Sequence, residues 1–190
     1  ANEYLGRMEA AGGNKGLGSL ELANIHIARG ERALARKALQ ELLETRPKFV
    51  EGWGLLGEVL IGLDDRQAFD DLLKRMSTID GAKPSILFLT AQMALKDNDL
   101  RKAGASLEAA LEARPYDPRL LEQMLRLDFA SGSRDKALSR ARHLLRVDPN
   151  NAYANYAMGS LHEAGGDTAL AEDSFRQSIA RERTPQALND

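Results

Sequence analysis

Trp53-Gly54-Leu55-Leu56-Gly57-Glu58-Val59-Leu60 decides the fold. Trp53, Leu56, Gly57 and Leu60 recur at the three-and-four spacing that gathers side chains on one face of an α-helix. On that face a bulky residue is followed by a bulky–small pair and a further bulky residue, and the small member lets a neighbouring backbone come close. Outside this helix, Pro47, Pro115 and Pro149 stand 68 and 34 residues apart, and a period near 34 marks stacked helical hairpins.

The period carries a packing pattern as well as punctuation. Boundaries three residues after these prolines give units 16–49, 50–83, 84–117, 118–151 and 152–185 without a gap. Ala35, Ala103, Ala137 and Ala171 are then equivalent. Leu39, Leu107 and Phe175 follow three of them at i+4, and Leu42, Ala110, Leu144 and Ser178 follow all four at i+7, which makes an apolar stripe on a second helix. Gly30, Gly132 and Gly165-Gly166 suit the turn inside a hairpin, where positive φ is needed. Asp135 and Asp167 lie near the following helix starts, where a carboxylate can accept unpaired backbone N–H groups. Between hairpins the X-Pro pairs stop one helix, and Pro84 and Pro118 open the next.

This pattern resembles the tetratricopeptide repeat, whose signature is W-x2-L-G-x2-Y, then A-x3-F, then P. The resemblance covers residues 16–185 and implies an all-α, right-handed superhelical solenoid of antiparallel helix hairpins. The whole chain, 1–190, reads as a single repeat domain. The second unit departs from the signature. It has Gly62-Leu63-Asp64-Asp65 at its turn, Ala68 one residue early and no closing proline, which reads as a one-residue shift within that hairpin. His26, Asp128 and His162 stand at a first-helix site that is bulky and apolar in Leu60. Local bonding within each hairpin is the favoured reading, over a polar relay between repeats.

Residues 1–15 read as a leading second-type helix, with Leu5 and Met8 on its buried stripe, and a Gly12-Gly13 join. Residues 186–190 read as the start of a further repeat, so the natural protein is expected to continue past Asp190. An uncapped last repeat would leave Leu170, Phe175 and Ile179 adhesive, a candidate surface for a homodimer.

Composition narrows the function. With 43% hydrophobic and 28% charged residues at a net charge of −2, the chain has no global field to draw in nucleic acid, and no basic stripe interleaved with aromatics is present. No apolar run approaches the ~20 residues that span a membrane, so direct insertion is not expected. The absence of cysteine leaves cytoplasm and periplasm equally open. The Ala/Arg/Leu-rich style reads as bacterial.

Motifs for chemistry fall away individually. Gly12-Gly13-Asn14-Lys15-Gly16-Leu17-Gly18-Ser19 has Gly16 where a phosphate loop needs Ser or Thr. His26, His143 and His162 lack the i, i+4 pairing of a helical zinc site, and no nucleophile–base–orienter set is visible. Trp53 reads as core. The expectation is a non-catalytic protein without metal or cofactor.

The resemblance implies instead a concave face, lined by first helices, that holds a protein or peptide ligand. Helix periodicity directs Leu20, Asn24 and Ile27 of the first unit to that face, and Glu51, Glu58 and Ile61 of the second. Ser85, Phe88, Gln92 and Leu95 follow, then Arg119, Glu122, Arg126 and Phe129, then Tyr153, Tyr156, Ser160 and Glu163. Phe88, Phe129, Tyr153 and Tyr156 are the expected apolar anchors, with Asn24, Gln92, Glu122 and Arg126 setting register. The clamp by which some family members hold a chaperone's terminal carboxylate is absent. Asn24 matches one of its positions, but Leu20, Leu55, Ser85 and Leu89 occupy the others. The alternative to groove docking is an assembly module of a larger bacterial protein, in envelope biogenesis, secretion or exopolysaccharide export.

Overall fold

The computed structural model describes residues 15–180, and side chains over 18–179. The leading helix and the truncated last repeat expected above lie outside the described residues. Among these residues the chain is all-α, with ten helices and no strand. They are α1 (Lys15–Ala28), α2 (Arg32–Thr45), α3 (Val50–Leu63), α4 (Arg66–Met76), α5 (Lys83–Lys96), α6 (Leu100–Ala113), α7 (Pro118–Ala130), α8 (Arg134–Val147), α9 (Ala152–Glu163) and α10 (Thr168–Ala180). Two compact units divide at the Asp99–Leu100 bond. In the first, α1 pairs with α2 and α3 with α4, and α5 packs beside α3. In the second, α6 packs on α7, and α7 pairs with α8 and α9 with α10.

One turn is used throughout. Gly30, Asp64, Asn98, Gly132 and Gly166, each 34 residues from the last, all have positive φ, from 57° to 85°. At each turn the next residue's N–H reaches back six residues inclusive, to the carbonyl of His26, Leu60, Ala94, Asp128 or His162. This is the Schellman closure of a helix C-terminus. It requires a left-handed residue, which glycine adopts freely and Asp or Asn tolerates.

The shift expected in the second hairpin is therefore not found. Asp64 supplies the left-handed residue at the regular position, and Lys96 Nζ donates to its Oδ1 at 2.8 Å. Arg66 then opens α4 in register with Arg32 of α2, and Phe69, 3% exposed, fills the site taken elsewhere by Ala35 and Ala103. The irregularity sits at the other end. α4 stops at Met76, three residues short of the α2 pattern, and a turn through Gly81 at φ 76° leads to α5.

Each unit buries its own core. Leu39, Leu42, Met76 and Leu89 are fully buried in the first, and Leu107, Leu121, Leu125 and Leu144 in the second. The small residue of the first-helix pattern makes room for a neighbouring side chain rather than for a backbone. A Cβ on Gly57 would stand 2.5 Å from Leu89, and one on Gly159 would stand 2.6 Å from Phe175. Trp53 is core, and its indole N–H donates to the Pro47 carbonyl at 2.8 Å. Asn155, the equivalent residue three units later, donates to the Pro149 carbonyl at 3.4 Å. Both tie a first helix to the proline turn before it.

Side-chain capping falls elsewhere than on Asp135, which lies in the first turn of α8 behind the uncapped Ser133. Asp65 caps α4 by accepting from Ala68 N, Asp117 caps α7, and Asn151 caps α9.

Candidate functional site

The first helices α7 and α9 of the second unit bring together four of the residues singled out by periodicity. Glu122 and Arg126 are one turn apart on α7, so both meet the same side of α9. Glu122 Oε1 accepts from Arg126 Nη2 at 2.8 Å and from Nε at 3.1 Å. Its other oxygen, Oε2, accepts from Asn151 Nδ2 at 3.0 Å, and Asn151 is the N-cap of α9. Arg126 lays its guanidinium over the Tyr153 ring, with Cζ 3.8 Å from the centroid. Tyr153 and Tyr156 stand 6.3 Å apart, and Tyr156 stands 6.0 Å from Phe175 of α10. The result is a continuous run from carboxylate to guanidinium to three rings, with Tyr156 48% exposed.

Its electrostatics follow from the contacts. Burial pushes the Glu122 carboxyl up, but the hydrogen bonds from Asn151 and Arg126 outweigh it and hold the group below the ordinary glutamate value. Burial raises the Tyr153 phenol, against the opposing pull of the Arg126 charge. Phe129 is half-buried on α7. Asn151 and Phe175 join the run although periodicity does not single them out for this face. Asn151 stands in the sequence as a neighbour of Pro149, and Phe175 as a member of the buried stripe.

In the first unit, Asn24 and Ile27 are exposed on α1, whereas Glu58 of α3 and Phe88, Gln92 and Leu95 of α5 are half-buried. Ile61 is only 9% exposed and belongs to the core, a correction to its placement on the open face. α3 is apolar nearly all round, so periodicity alone could not separate its two faces.

Of the polar residues at this first-helix site, His26 and Asp128 bond within their own hairpins, as favoured above, and His162 stands beside a carboxylate of its own hairpin beyond hydrogen-bond reach. His26 Nδ1 lies 2.6 Å from Glu31 Oε2, and His162 Nδ1 lies 3.9 Å from Asp167 Oδ2. Asp128, 5% exposed, accepts from Arg140 Nε at 3.2 Å.

Two clefts lie on the second-helix side, which no sequence motif marks. One of about 870 Å³ in the first unit runs between α2 and α4 over Trp53, Leu56 and Leu72. One of about 460 Å³ in the second unit lies along α8 and includes Lys136, Arg140 and His143. Among the described residues, no three metal-ligating side chains gather and no helix is long and apolar enough to cross a membrane.

A family model described as tetratricopeptide repeat matches residues 20–65, 66–118 and 123–187. The chain is 26% identical over 201 residues to cellulose synthase operon protein C of Pseudomonas fluorescens (strain SBW25), covering 94% of this chain and 15% of that protein. It is 25% identical over 169 residues to interferon-induced protein with tetratricopeptide repeats 2 of Cricetulus griseus, covering 87% of this chain and 35% of that one. The chain thus spans about a third or less of these curated relatives. Among solved structures, TTC0263 of Thermus thermophilus, a thermophilic repeat protein of the same type, superposes with a TM-score of 0.68 at 17% identity, covering 91% of this chain and 93% of that one.

Proposed function

Because the chain belongs to the tetratricopeptide repeat family, whose hairpin stack is a scaffold for protein–protein interaction, we propose that it docks a peptide or protein segment on the exposed face of its first helices and performs no catalysis. The observation that carries this reading is the run Glu122–Arg126–Tyr153–Tyr156–Phe175. Tyrosine and arginine are among the residues most enriched where binding energy concentrates, because they combine a large contact area with a polar edge. Tyr156 is 48% exposed, which leaves part of its ring open on this face. In the first unit the same role falls to Asn24, Ile27, Glu58, Phe88, Gln92 and Leu95, on α1, α3 and α5.

The test compares wild type with the Phe129→Ala/Tyr156→Ala double variant in capture of a partner from the source organism's lysate. The partner should be lost from the variant while its melting temperature stays within a few degrees of wild type. Loss of binding and folding together would mean that these rings are core.

A second reading is favoured by Leu170 and Ile179 of α10, which are 52% and 55% exposed. On this reading the last hairpin joins copies of the chain or rigidly spaces other domains. The similarity to cellulose synthase operon protein C favours an exopolysaccharide setting for it.

A further inference from the structure

We propose that Glu122 is the selectivity residue of the α7–α9 face: by quenching Arg126 it makes this face accept an extended, uncharged apolar segment and reject an acidic one. The inference rests on the docking reading above and adds the chemistry of the partner.

Arg126 would by itself be the group most inviting to an anion in the aromatic run. It is 47% exposed, and a guanidinium presents a fork matched to carboxylates. One edge of that fork is already taken. Nε and Nη2 both donate to Glu122 Oε1, and one flat face of the guanidinium lies over Tyr153. Glu122 is in turn fixed from the other side, because Asn151 donates to Oε2. The carboxylate therefore cannot swing away without giving up these hydrogen bonds, and an incoming carboxylate would have to displace it or lie beside it. Like charges brought together at an interface are strongly disfavoured. Beside this neutralised pair the face offers uncharged surface, the exposed part of Tyr156 and the half-buried Phe175, with the rings spaced 6.3 and 6.0 Å apart. Alternate side chains on one face of an extended segment are about 6.5 Å apart, so successive apolar side chains can meet successive rings.

The charge state of the face is thus set by one side chain whose removal need not disturb the fold. Glu122→Gln keeps an oxygen to accept from Asn151 or from Arg126, and removes the negative charge.

The experiment uses two dye-labelled, end-capped octapeptides, one alternating Phe and Ser and one alternating Phe and Glu. Binding to the full 190-residue chain is followed by fluorescence anisotropy, with circular dichroism melts to establish folding. Wild type should bind the Phe–Ser peptide at least tenfold more tightly than the Phe–Glu peptide. Glu122→Gln should reduce that ratio to about twofold or invert it, mainly by tightening Phe–Glu. A wild-type preference for Phe–Glu, or an unchanged ratio in folded Glu122→Gln, overturns the selectivity assignment. Tyr156→Ala separates the two layers. Phe–Ser binding that Tyr156→Ala does not weaken, or no binding by wild type at all, overturns the docking reading and this inference with it. Tyr156-dependent binding with a ratio insensitive to Glu122→Gln overturns the selectivity assignment alone.

Discussion

Gly54 and Gly57 both lie inside α3, but an added Cβ meets nothing within 4 Å at Gly54 and meets fully buried Leu89 at 2.5 Å at Gly57. Gly54→Ala should raise stability by about 1 kcal/mol, the helix-propensity difference, since no atom opposes it. Gly57→Ala should lower it by about 1–3 kcal/mol through overpacking. Thermal melts of the two variants should move in opposite directions, and a common direction would remove the close approach of α3 and α5 from the account.

The turn carboxylates supply a second test at this scale. Lys96 lowers the Asp64 carboxyl below the ordinary aspartate value, and the Ala68 N–H together with Arg36 lowers that of Asp65. A depressed carboxylate contributes stability above its unfolded pKa of about 3.9, and that contribution is lost as pH falls through the lower folded value. Melting temperature should therefore drop as pH falls below about 4. The Asp64→Asn/Asp65→Asn variant, which keeps the left-handed turn residue and the cap acceptor, should drop less over that range.

At the scale of elements, the first residue of a second helix links one hairpin to the next. Arg134 of α8 donates to the Leu161 carbonyl at 2.8 Å, at the C-terminal end of α9, and Arg66 of α4 donates to Asp97 just past α5 at 2.6 and 2.9 Å. Arg32 lies across Gly62 near the end of α3 in the same way. A cation there meets carbonyls left unpaired by the helix and the negative end of its dipole. Leu100 of α6 occupies the equivalent position and is 44% exposed. Leu100→Arg should then add a link to the end of α7 and raise stability by about 0.3–1 kcal/mol. An unchanged midpoint in urea would show that the α7 terminus offers no acceptor within reach.

For the whole molecule, a repeat stack gains its stability from neighbouring hairpins, so an end surface is where exposed apolar side chains gather. Among the described residues, Leu170 and Ile179 of α10 are exposed apolar side chains of this kind. If copies associate through this helix, Leu170→Glu/Ile179→Glu should sediment as a monomer at concentrations where wild type does not, with an unaltered melt. Wild type that is itself monomeric up to high micromolar concentration would sink the assembly reading and leave docking as the function.

The amino-acid sequence by itself determined the all-α class, the period of 34 and the identity of the core stripe. All three depend on spacing along one helix, which is a local property of the chain. Helix period also directed Glu122, Arg126, Tyr153 and Tyr156 to one face, and their contacts with one another are consistent with that. The tertiary structure decided the rest. Asp64 lies on the 34-residue clock of Gly30 and Gly132, but that a non-glycine residue takes the left-handed conformation there is shown only by its φ of 57°. Ile61 could be moved to the core only once the neighbours of an all-round apolar helix were in place. Glu122 and Arg126 are one turn apart on a single helix, but the anchoring of Glu122 by the Asn151 amide, and the cleft between α2 and α4, needed two hairpins side by side. Contacts of this kind join residues far apart in the chain, and no periodicity within a single helix encodes which of them meet.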